Sequence, residues 1–201
     1  RPWAPSPEGA QGRFARTLVA MQQKGIKLGI GVDENTAIVV TNKDDVEVVG
    51  YMGALVVDLS RATRNPAIKE FNIKNARLTY LEKGDSFNLS TKEVLVNPIK
   101  DQLDPKDPYF EGKIAYNDIL ANTVLVDLLY NLIDNAEPEA KGLAFTLRAD
   151  KEDLARGFEF TFKKSVDSAG YYTGAYGRDN YTIKNIYLDV KPVTINSPVY
   201  R

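Results

Sequence analysis

The run Leu28-Gly29-Ile30-Gly31-Val32-Asp33-Glu34-Asn35-Thr36-Ala37 constrains this chain more than any other stretch. Apolar residues with two interleaved glycines read as a strand. An acid pair ends it at once, and a second β-prone run, Ala37–Thr41, follows. A strand that stops on two carboxylates delivers them to the edge of a sheet. Yet the 201 residues include no histidine and no cysteine. The commonest general base, the commonest metal ligand and every thiolate are therefore missing from any site this chain builds alone.

The hydrophobic share of 43% supports a real core in one large or two small domains, and the net charge of −1 is spread along the chain. No basic tract marks a nucleic-acid face. The longest apolar stretch, Ile119 to Ile133, is broken by Asn122, Asp127 and Asn131, so it reads as a packed helix rather than a membrane span. The compartment stays open, because a chain without cysteine suits either side of a membrane.

Pro2, Pro5 and Pro7 make the first residues an extended lead-in. Phe14, Leu18 and Met21 recur at helical spacing, predicting a helix over Arg13–Lys24 that Gly25 stops. Strands are expected at Lys27–Val32, Ala37–Thr41, Val46–Val49, Ala54–Leu59, Ala76–Leu81, Ser86–Leu89 and Lys92–Val96. Residues 101–112 carry two prolines and several aspartates and read as a linker. Asp101, Asp104 and Asp107 are too sparse for a calcium loop, so no metal is expected.

Beyond the linker, a helix is expected from Asp118 to about Asn135, capped by Asn117 or Asp118, with Thr123, Asp127, Asn131 and Asp134 on its polar face. Strands follow at Leu143–Leu147, Gly157–Phe162 and Tyr181–Val190, with Phe158, Phe160 and Phe162 on one face. The loop Tyr171-Tyr172-Thr173-Gly174-Ala175-Tyr176-Gly177 reads either as rings packed locally or as a sugar or peptide platform. The division expected is thus 1–100, a linker at 101–112, and 113–201.

No serine lies on a Gly-x-Ser-x-Gly elbow, and Gly29-Ile30-Gly31 lacks the third glycine of a dinucleotide fingerprint. Arg13 and Arg16 are three apart and share a helical face, where two guanidiniums could clamp a carboxylate; the spacing alone favours a solvated helix end. Glu34 on pattern alone is a surface turn.

Several runs together resemble the cyanophycinase family of serine peptidases. They are Gly12-Arg13-Phe14-Ala15-Arg16, Leu28 through Val40, Val48-Val49-Gly50, Ala54-Leu55-Val56-Val57-Asp58, Ala76-Arg77-Leu78 and Leu81-Glu82-Lys83-Gly84-Asp85-Ser86-Phe87-Asn88-Leu89. The likeness covers about residues 12–97, and residues 113–193 are similar to a C-terminal extension of some relatives. It implies an α/β fold: the C-terminal part of a class I glutamine amidotransferase-like core with a mixed β-sheet, then an α+β extension with antiparallel strands. It also implies a serine nucleophile, a histidine base and an orienting acid, acting without a cofactor on cyanophycin or related β-aspartyl peptides.

By this resemblance Glu34 matches the triad acid, and Arg13 and Arg16 match arginines near the substrate. The family histidine would fall on Pro7, its neighbouring phenylalanine on Glu8 and its first arginine on Gln11, and the serine elbow would lie upstream of Arg1. The expected partners are therefore the upstream half of the same protein or a companion chain, together with a peptide substrate. A homodimer is left open, and nucleic acid and membrane are not expected. A non-catalytic binding or assembly module derived from that family is the alternative.

Overall fold

The computed structural model describes residues 14–145 and 155–195. The first element is α1 (Phe14–Lys24), which buries Phe14, Leu18 and Met21 as the spacing requires. It ends on Gly25, at φ 68°, with the Ile26 N–H donating to the Met21 carbonyl at 2.9 Å. That pairing across a left-handed glycine is a Schellman stop.

A nine-stranded sheet and a four-stranded sheet follow. The larger contains β1 (Leu28–Val32), β4 (Ala54–Asp58), β5 (Ile73–Leu81), β8 (Asp101–Gln102), β9 (Ile114–Tyr116), β10 (Glu139–Phe145), β11 (Ala155–Lys163), β12 (Ala169–Thr173) and β13 (Asn180–Ile195). Its main path runs β1-β4-β5-β13-β11-β10-β9, and β12 and β8 continue from the first part of β13. It is mixed, because β9 runs parallel to β10 and the other pairs are antiparallel. The smaller sheet is antiparallel and ordered β2 (Thr36–Val40), β3 (Asp45–Gly50), β6 (Ser86–Asn88), β7 (Val94–Leu95).

Strand alternation sorts the core into two layers. Val57, Leu78 and Tyr80 face one way and meet α1 and the second helix, α2 (Val124–Ile133), whose Leu125, Leu128, Leu129 and Leu132 are buried. Ala54, Val56 and Leu81 face the other way and pack on Val46, Val48 and Phe87 of the small sheet. The architecture is therefore helices, large sheet, small sheet. No described helix is long and apolar enough to cross a membrane.

Three differences from the sequence reading have clear causes. α2 starts at Val124 because Thr123 is left-handed at φ 63°; Asp118 instead accepts from the Leu120 N–H and ties an isolated turn. Asp134 is buried and accepts the Tyr109 N–H at 3.0 Å, so it leaves the polar face that Asp127 and Asn131 share. The expected linker, 101–112, contributes β8, which pairs with β12 through Tyr171 and Gln102. Segments before and after it share one sheet, since β13 pairs with β5. Of the expected strand at Leu143–Leu147, Thr146 and Leu147 lie outside the described residues.

Candidate functional site

β1 is an end strand of the large sheet. Leu28 and Ile30 pack toward the small sheet, whereas Gly29 faces α1. A Cβ on Gly29 would come within 2.8 Å of Met21 Sδ, so glycine there lets the helix lie close to the strand.

The two acids that end β1 separate at once. Asp33 turns inward and is buried; its N–H donates to the Gly53 carbonyl at 3.0 Å, and its Oδ2 accepts the Tyr80 hydroxyl at 2.9 Å. Glu34 turns outward. Asn35, left-handed at φ 56°, reverses the chain, and its carbonyl accepts the Tyr51 N–H at 2.8 Å. Among the described residues the Glu34 carboxylate makes no hydrogen bond or ion pair. The result is an exposed acid on a rigid turn.

Arg16 is exposed on α1 and is not ion-paired to Glu34. Arg13 lies outside the described residues. The pair expected to clamp a substrate is thus represented by Arg16 alone. Beside Asp33 is a cavity of about 20 Å³ walled by Phe14, Leu55, Val57, Leu125 and Leu129. That is room for about one water.

Behind the turn runs a buried polar network that the sequence reading missed. Tyr80, Tyr130 and Tyr181 pack ring to ring, with centroids 6.0 Å and 4.3 Å apart. Glu82 is fully buried beside Tyr130. Glu82 accepts from Arg178 Nη1 at 2.9 Å and from the Tyr181 N–H. Burial pushes the Glu82 carboxyl above its ordinary range, and Arg178 and the Tyr181 amide only partly oppose it. The Arg178 guanidinium in turn lies 4.8 Å over the exposed Tyr51 ring.

A second buried knot joins Lys100 to Asp85 at 2.9 Å and to Thr182 at 2.8 Å. Burial lowers the Lys100 pKa and Asp85 counters it. Both knots tie the end of β5 to the start of β13. Glu82 had one signal, since it continues the inward parity of Leu78 and Tyr80. Arg178, 96 residues away, had none.

The tyrosine-rich stretch divides. Tyr171 to Thr173 belong to β12, and Tyr172 packs on Tyr181 at 5.0 Å. Tyr176 in the loop is covered by Lys83, 4.6 Å from its ring, and its hydroxyl accepts from Asn97. Tyr172 thus packs within its own hairpin, whereas Tyr176 takes its partners from far along the chain. No group of three or more His, Cys, Asp or Glu side chains among the described residues could hold a metal. Comparison with protein-family models and with curated proteins finds no match to this chain.

Proposed function

We propose that this chain is the C-terminal part of a cyanophycinase-like serine peptidase, with a glutamine amidotransferase-like core, that hydrolyses cyanophycin or related β-aspartyl peptides. Glu34 supplies the acid of a Ser-His-acid triad. The nucleophile and the base come from the upstream half of the same protein or from a companion chain. One observation carries the reading beyond the resemblance: an unpaired carboxylate stands at the C-terminal end of an uncharged edge strand. An open edge can accept the strand that brings the missing groups to it.

In the complete site the serine oxygen attacks the main-chain carbonyl of an aspartyl residue whose β-carboxyl carries arginine, while histidine takes its proton. The tetrahedral intermediate expels the amine, which histidine protonates, and water then releases the acyl group by the same steps. Glu34 holds the imidazole in its reactive tautomer and stabilises the imidazolium. Arg13 and Arg16 are assigned to the substrate's carboxylates.

The test uses the chain expressed with its natural upstream sequence and follows release of β-Asp-Arg dipeptide. Glu34→Gln is expected to lower kcat roughly 10²–10⁴-fold with little change in KM. Full turnover in that variant removes Glu34 from the triad. A different reading, a non-catalytic binding or assembly module, is favoured by the absence of histidine from the chain. An upstream sequence with neither a serine elbow nor a histidine would decide for it.

A further inference from the structure

We infer that the outer edge of β2 is a self-association surface at which a second copy of this chain adds antiparallel, about a two-fold axis at Ile38. The inference is independent of the peptidase reading.

The hydrogen-bond phase of β2 comes first. Asn35 and Tyr51 lie opposite each other and are bonded, as are Thr41 and Asp45. Bonded positions alternate along an antiparallel pair, so Ala37 and Val39 also turn their backbone groups inward, to Val49 and Glu47. The N–H and C=O groups of Thr36, Ile38 and Val40 therefore point outward. No described strand pairs with them.

Those three residues are self-complementary. A two-fold axis at Ile38 places Ile38 opposite Ile38 of the partner copy, and Thr36 opposite Val40 of the partner copy. Each such pair exchanges two backbone bonds. Ala37 then faces Val39 of the partner copy in the closer, non-bonded position. Val39 is 45% exposed and Val40 is 64% exposed, so pairing covers apolar surface on both faces of the strand. The strand carries no charge, so none meets its own copy across the axis.

β1, like β2, has an open, uncharged edge, and the opposite ends of the two sheets show the devices that both lack. Proteins blunt exposed edges with shortness, lysine, proline or a bulge. At the far side of the same sheet β7 has two residues, preceded by Lys92 and Glu93 and followed by Pro98. At the far side of the large sheet β9 has three residues and follows Lys113. β2 has five residues, a full register with β3 and none of these devices. The paired area is small, so the dimer is expected to be weak and concentration-dependent.

The chain lacks cysteine, which makes cross-linking clean. In the double variant Ala37→Cys/Val39→Cys, the proposed register sets unlike cysteines of two copies opposite each other. Oxidised at micromolar concentration, it is expected to give a covalent dimer on a non-reducing gel, whereas each single variant stays mostly monomeric. Val40→Pro removes an outward N–H and leaves the bonds to β3 intact. By sedimentation velocity it is expected to shift the wild-type monomer–dimer equilibrium to monomer, with the circular dichroism spectrum unchanged. A wild-type chain that stays monomeric throughout the micromolar range overturns the inference. So does a dimer that survives Val40→Pro, or single-cysteine variants that cross-link as well as the pair.

Discussion

Asp58 shows how a buried side chain records the pH at which the fold gives way. Burial alone would raise its pKa, but the Ser60 hydroxyl and N–H, Lys92 and Arg77 outweigh that and hold it down at about 2, from an ordinary 3.8. Arg77 lies 2.6 Å away and Lys92 3.0 Å away. Because the folded pKa is the lower one, the unfolded chain takes up the proton first as pH falls. The stabilisation is therefore complete above the unfolded value, is lost progressively below it, and is gone once pH passes the folded value. A shift of this size corresponds to about 2 kcal/mol. Asp58→Asn is expected to lower stability at neutral pH by that order and to flatten stability against pH across the same acid window. Urea unfolding at a series of acid pH values measures both effects. An unchanged slope would mean that other carboxylates carry acid unfolding.

The same scale separates what could be read in the residues from what could not. The Asp33–Glu34 pair was visible as an acid pair at a strand end. Its division into one buried acid and one exposed acid depends on Tyr80, 47 residues away. Glu82 and Arg178 depend on each other over a still longer separation. Local pattern carries no information on such partners, because only the sheet brings them together.

At the scale of elements, β13 explains why alternation was legible in pieces and misleading as a whole. Tyr181 and Ile183 are buried, and so are Ile186, Leu188 and Val190, which have the opposite parity. A strict strand would expose one set or the other. The structure resolves the conflict with a bulge: Ile183 lies opposite Tyr80, and Ile186 lies opposite Leu78, so β13 spends one extra residue. Asn185 adopts φ 59° in that bulge. Deleting Asn185 should restore plain alternation with Ile186, Leu188 and Val190 still on the side of Tyr181 and Ile183, at the cost of the hydrogen bonds Asn185 makes to Ser168 and Asp167. The variant should therefore still fold, with a loss of about 1–3 kcal/mol. Asn185→Gly keeps the left-handed geometry and should change stability by no more than about 1 kcal/mol. Soluble yield and urea unfolding of the two variants test the bulge, and a deletion variant that cannot fold would refute the account of Asn185 as the one extra residue. The short strands β8 and β9 left no such trace in the sequence, since two or three residues become a strand only when β12 or β10 supplies the ladder. The long elements α1, β4 and β11 were legible because each carries its own period and its own stop.

For the whole molecule, the question is whether residues 1–100 and 113–201 can stand apart. β13 lies between β5 and β11 in the middle of the large sheet, so the later segment supplies the partner of the earlier one. Cutting the chain after residue 112 would strip β5 of that neighbour and bare Ala76, Leu78 and Tyr80, now at most 1% exposed. It would leave Glu82 without Arg178 and the Tyr181 amide, and Lys100 and Asp85 without Thr182. Removing one partner of a buried ion pair is strongly destabilising, at about 3–5 kcal/mol, which is comparable to the whole stability of an ordinary domain. Residues 1–112 alone are therefore expected to be insoluble or unfolded, with collapsed amide dispersion in a proton–nitrogen correlation spectrum. Co-expression with residues 113–201 should restore a folded complex, because the two pieces then rebuild the β5–β13 ladder. A well-dispersed spectrum from residues 1–112 alone would mean that the first segment is an independent domain, and that β13 is an addition to its sheet rather than a condition of it.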